Sequence, residues 1–105
     1  MPEIQLVRQG NALKPKNGDR TLVPQGSTVT FRAEAGIAGT EIAFAGNTPF
    51  DQNRVPYNKP LAVKALFNES DPGRNKYPYK CHGFGPDGEP LDSDGGGGEM
   101  EIIQH

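Results

Sequence analysis

The sequence predicts a small all-β domain with long turns, and three observations lead there. First, apolar residues alternate with polar ones in short bursts, the period of strands with one face on a core. Second, 14 glycines and 10 prolines in 105 residues leave helices of ordinary length little uninterrupted room. Third, 33% hydrophobic residues suffice for one thin core, and the length excludes a second domain.

The elements follow in order. Ile4 and Leu6 mark a first strand. The run Lys14-Pro15-Lys16-Asn17-Gly18-Asp19 predicts a chain reversal, because Pro fixes φ and Asn-Gly tolerates positive φ. Leu22 and Val23 resume extended structure. After Gln25-Gly26-Ser27, the stretch Thr28 to Ala33 is the clearest strand, with Val29, Phe31 and Ala33 on one face and Thr28, Thr30 and Arg32 on the other. Ile42 and Phe44 alternate with Glu41 and Ala43. Leu61, Val63, Ala65 and Phe67 alternate with Ala62, Lys64 and Leu66 and predict another strand. Tyr77, Tyr79 and Cys81 share a face, and Pro78 between them puts that strand at an edge or bulge. Met100 and Ile102 close the series. The expected core is Val29, Phe31, Phe44, Leu61, Val63, Tyr79 and Ile102, and the best helical stretch is a single turn around Asn53 to Asn58.

Two connections are long, Ala45 to Lys59 and Phe84 to Gly98. The second ends in Gly95-Gly96-Gly97-Gly98, whose permissive backbone predicts disorder or several conformers. The first carries Phe50, Val55 and Tyr57 beside Pro49, Pro56 and Pro60. Apolar residues there must tuck over the core as a lid or meet a protein partner or a second copy.

Composition also excludes function classes. A net charge of −2 with mixed signs and scattered aromatics offers nothing to nucleic acid or an anionic membrane surface. No stretch approaches the roughly 18 apolar residues of a membrane span, and no basic segment followed by an apolar run opens the chain, so a soluble protein is expected. The compartment is left open. One cysteine cannot form an internal disulfide.

Three constellations bear on chemistry. Cys81 and His82 are adjacent in a strand, so their side chains point to opposite faces, and only a distortion or a second chain could close them on one metal ion such as copper. As a nucleophile Cys81 would need a nearby base and an electropositive setting, whereas Lys80 and His82 both face away, so a buried inert thiol is expected. Asp87, Glu89, Asp92 and Asp94, with Glu99 beyond the glycine run, put hard oxygen ligands on a bendable backbone, which suits calcium. Their spacing is not that of an EF-hand, and a solvated acidic turn is the plainer reading.

The order of pieces matters here: Gly26-Ser27-Thr28-Val29-Thr30-Phe31, then Ala35-Gly36-Ile37, Thr40-Glu41-Ile42-Ala43-Phe44, Tyr77-x-Tyr79-x-Cys81, and Glu99-Met100-Glu101-Ile102-Ile103. This series resembles the cupredoxins, the plastocyanin and azurin type of β-sandwich. The resemblance implies a Greek-key sandwich of seven or eight strands and a type 1 copper site with its first histidine at Thr40, its thiolate at Cys81 and its second histidine near Phe84. Only the cysteine is present, and neither a hydroxyl nor a phenyl ring replaces an imidazole on copper. Met100 falls where the family has a core aliphatic. The expected protein is therefore a non-catalytic binding or interaction domain with no cofactor. A metal-binding protein using Cys81 and His82 or the acidic 87–99 loop is the alternative, and a small enzyme built on Cys81 the third reading.

Overall fold

The structure, a computed structural model, describes residues 2–91 and 96–104. Nine strands appear among them: β1 Glu3–Gln9, β2 Ala12–Pro15, β3 Arg20–Pro24, β4 Thr28–Ala33, β5 Ala38–Ala43, β6 Arg54–Val55, β7 Leu61–Ala62, β8 Lys76–Phe84 and β9 Gly98–Ile103. The count exceeds the seven or eight expected because β6 and β7 are two-residue pieces inside what reads as loop or as longer strand.

The strands form two mixed sheets, β2-β1-β4-β7 and β3-β9-β8-β5-β6. In each, one parallel pair joins segments distant in sequence: β1 runs parallel to β4, with Ile4 opposite Phe31, and β3 parallel to β9, with Val23 opposite Ile102. The inner faces meet in one hydrophobic cluster. Ile4, Leu6, Leu13, Val29 and Phe31 come from the first sheet, and Val23, Ile42, Tyr79, Cys81, Met100 and Ile102 from the second. This is an all-β sandwich, and of the expected core Val29, Phe31, Phe44, Val63, Tyr79 and Ile102 are buried in it. Four aromatic rings form its centre. Phe31 meets Phe50 and Tyr79 edge-on at 6.3 and 5.4 Å between centroids, and Phe44 meets the same two rings at 5.7 and 5.6 Å.

Several expectations need correction. Lys14 and Pro15 belong to β2, which pairs antiparallel with β1 after a turn at Gly10 and Asn11, so the reversal starts only after Pro15. Glycine at position 10 is required by its φ of +63°. The stretch Leu61 to Phe67 is a strand only at Leu61–Ala62, because Lys64 and Ala65 then donate their N–H groups to Pro49 C=O, at 2.8 and 3.1 Å, instead of following β4. Leu61 is accordingly only half-buried, while Val63 joins the core. The one helical turn among the described residues is a 3-10 turn at Pro72–Asn75, not at Asn53–Asn58. Buried Asn75 fixes it: Nδ2 donates to Asn68 C=O and Oδ1 accepts from Asn68 N–H.

Pro78 sits where the sequence places it. β9 pairs with β8 at Lys76 to Tyr79 and β5 only from Lys80 onward, so at Pro78 the strand has a neighbour on one side alone. The glycine run is partly tied down. Gly97 is buried with its N–H on Leu13 C=O at 2.8 Å, its φ is +92°, and an added Cβ would run into the Tyr79 carbonyl, while Gly98 begins β9. Gly95, like Asp92 and Asp94, lies outside the described residues.

Candidate functional site

The copper-like positions lie along the β5–β8 pair, and the strand geometry separates them. Ile42 pairs with Cys81, Glu41 with His82 and Gly39 with Gly83, which makes Thr40 the extra residue of a β-bulge. Thr40 is exposed there, and Phe84 is 45% exposed at the end of β8. Cys81 faces the opposite way and is 2% exposed in the core. The three positions therefore do not converge on one point. Met100 is fully buried in the cluster, as expected of a packing residue.

Burial in apolar surroundings pushes the Cys81 thiol up to about 12. It is thus a protonated thiol at neutral pH, the opposite of the electropositive, partly exposed setting that makes a nucleophile. His82 lies on the outer side of β8 and is half-buried, and its backbone carbonyl accepts the Tyr57 hydroxyl at 3.1 Å. Among the described residues no group of three His, Cys, Asp or Glu side chains comes together.

The acidic residues divide between separate partners. Glu89 Oε2 meets Arg8 Nη1 at 3.3 Å, while its Oε1 accepts from Asp87 N–H at 3.0 Å. Its own backbone amide above all, joined by the Asp87 amide and Arg8, holds its carboxyl below the ordinary range against an opposing desolvation. Glu99 instead pairs with Arg20, at 3.2 Å, on the outer face of the β3–β9 pair. Asp87 is exposed.

The 45–59 connection is where the structure corrects an expected surface. Phe50 is 5% exposed, and Val55 and Tyr57 are also buried. Each has a specific partner. Asn53 braces the turn by donating Nδ2 to Phe44 C=O at 3.0 Å and accepting Phe44 N–H on its own carbonyl at 2.7 Å, which swings Phe50 onto Phe31 and Phe44. Val55 pairs with Ile42 on β5. The Tyr57 ring lies on Gly39, where an added Cβ would come within 2.6 Å of it. Asn58 then donates its N–H to Phe31 C=O on β4 at 2.7 Å, carrying the chain from one sheet to the other. The segment closes one side of the sandwich as a lid, so its apolar side chains are core and not an open contact surface.

What the structure does expose is the far end of β8. Phe84 pairs with Ala38 on one side and forms a bridge with Pro90 on the other. The turn between is a tight one: Gly88 N–H donates to Gly85 C=O at 3.0 Å, Gly85 N–H to Glu89 C=O at 2.8 Å, and Leu91 N–H to Gly83 C=O at 2.8 Å. Pro86 and Asp87 occupy the central positions of that turn, and Gly88 takes φ +78° just after them. Pro86 packs towards Gly36 on the adjacent loop, where an added Cβ would lie 3.6 Å from it. Phe84, Pro86, Pro90 and Ala38 form an exposed apolar end beside half-buried Ile37. Fully buried Leu91 anchors it from below. The Leu91 anchor was missed because a single apolar residue carries no periodicity; its signal is a lone leucine in a Gly, Pro and Asp segment.

Among the described residues no helix is long and apolar enough to cross a membrane. No family model, curated protein or solved structure matches the chain.

Proposed function

We propose that the chain is a non-catalytic binding domain on a cupredoxin-like Greek-key scaffold without type 1 copper, and that it meets a protein partner through the Phe84 end. The two-sheet sandwich and the order of its strand motifs support the scaffold. Thr40 and Phe84 in place of histidines, both facing away from Cys81, support the loss of the metal. The contact surface rests on one observation: Phe84 is exposed on a turn whose backbone is already hydrogen-bonded in place. An ordered apolar loop loses little conformational entropy on docking, so its buried area translates efficiently into affinity.

Replacing Phe84 with Ser tests this reading. The side chain is outside the core, so the melting temperature should stay within the small range of surface substitutions. Proteins captured by the immobilised wild-type chain should be lost by the variant. Capture that is unchanged with a folded Phe84→Ser variant contradicts the assignment of the surface.

A further inference from the structure

Four strands end the two sheets: β2 and β7 in one, β3 and β6 in the other. β6 and β7 have two residues each, β2 has four, and β3, with five, is the longest open edge among the described residues. An open edge presents unpaired N–H and C=O groups that invite another strand. The groups of β3 that are open follow from the bonds around it. Asp19 C=O accepts from Glu99 N–H at 2.8 Å, and Gln25 N–H donates to Ile103 C=O at 2.9 Å. The register between these points is continuous, from Arg20 opposite Glu99 to Pro24 opposite Ile103. Backbone groups alternate sides along a strand, so Thr21 and Val23 point to β9 while Arg20, Leu22 and Pro24 point away.

Pro24 has no N–H to offer, and its carbonyl already accepts the Ser27 amide at 3.3 Å and hydroxyl at 2.5 Å. The open edge thus consists of the N–H and C=O groups of Arg20 and Leu22. Arg20 and Leu22 line a cleft together with Glu3, Ile4 and Gln5 of β1 and with Lys16 and Asn17. Leu22, in the middle of the strand, is 55% exposed.

We propose that two copies of this chain join by antiparallel pairing of β3 with β3, about a two-fold axis through Thr21. That axis sets Arg20 opposite Leu22 of the second copy, and Leu22 opposite its Arg20. Each such pair exchanges both of its backbone bonds, so every open group on the edge is used and none is left over. An axis through Leu22 would instead set Arg20 against Pro24, which lacks a donor and has its carbonyl occupied. The occupant is a second copy because the open groups are complementary to themselves under a two-fold operation, which is what an isologous interface requires.

The side chains agree with this register. Arg20 keeps its guanidinium on its own Glu99 and Glu101, at 3.2 and 3.4 Å. Its alkyl stem is left to cross Leu22 of the second copy, and like charges do not face each other across the axis. Two five-stranded sheets then run into one continuous sheet.

Sedimentation velocity on the full chain over a range of concentrations tests the proposal, with residue-resolved amide exchange on the same samples. The expected result is a doubling of mass at high concentration, with exchange at Arg20 and Leu22 slowing in step while Thr21 and Val23 stay protected throughout. Leu22→Lys should remain monomeric with an unchanged circular dichroism spectrum, and Phe84→Ser should still dimerise, since the Phe84 end is a separate surface. Leu22→Pro, which removes an outward N–H and no bond to β9, serves as the second disrupting variant. A wild-type chain that stays monomeric at every concentration overturns the proposal. So does a dimer in which Arg20 and Leu22 exchange as fast as in the dilute protein, or one that survives in folded Leu22→Lys or Leu22→Pro.

Discussion

Cys81 shows how one side chain decides between chemical roles. A thiol held protonated by burial cannot attack or bind a metal at neutral pH without the core opening first. It should therefore react slowly with a thiol reagent in the native protein and rapidly once denatured; immediate labelling of native protein would count against core burial. Its raised pKa also fixes the sign of a pH effect. The folded state keeps its proton where the unfolded state has lost it, so stability is intact below the ordinary thiol value and falls as pH rises from there to about 12. Burial raises Tyr57 and Tyr79 as well, so they add to the same alkaline loss at higher pH. Denaturant titrations across the alkaline range should show a flatter decline for Cys81→Ala than for wild type. Cys81 and His82 were legible as facing opposite ways from strand alternation alone, because that property depends only on neighbouring residues. The separation of Thr40, Cys81 and Phe84 was not, since it depends on a bulge at Thr40 that no local pattern announces.

At the scale of elements, the 45–59 connection illustrates what periodicity leaves open. Its prolines and apolar residues were visible, and both outcomes, lid or contact surface, were physically reasonable. The choice rests on distant partners: Phe31 and Phe44 for Phe50, Gly39 and His82 for Tyr57, Ile42 for Val55. Replacing Phe50 with Ser should cost about 3 to 5 kcal/mol, the range for truncating a buried aromatic, and a large fraction of what a domain this size has. Chemical denaturation measures it. Unchanged stability with altered association would return Phe50 to the surface. The strand expected to run from Leu61 to Phe67 fails for a related reason: its alternation is real, and Val63 N–H still donates to Ser27 C=O just before β4, but Lys64 and Ala65 turn to Pro49 C=O in a loop.

For the whole molecule, the inward faces of β1, β4, β5, β8 and β9 were readable because one-sided burial imposes a period of two on each. Which strand lies beside which was not readable. The parallel pairs β1 with β4 and β3 with β9 bring together residues far apart in the chain, and alternation reports a face, never a neighbour. The proposed role follows from this architecture, in which strand pairing keeps the thiol inside and the bulged and terminal positions of the same pair outside. Copper(II) titration followed by visible absorption tests that most directly. The account predicts no intense thiolate-to-copper charge-transfer band at any equivalent while the protein stays folded, because Thr40 and Phe84 carry no imidazole and Cys81 faces the core. An intense band that saturates at one equivalent would contradict it.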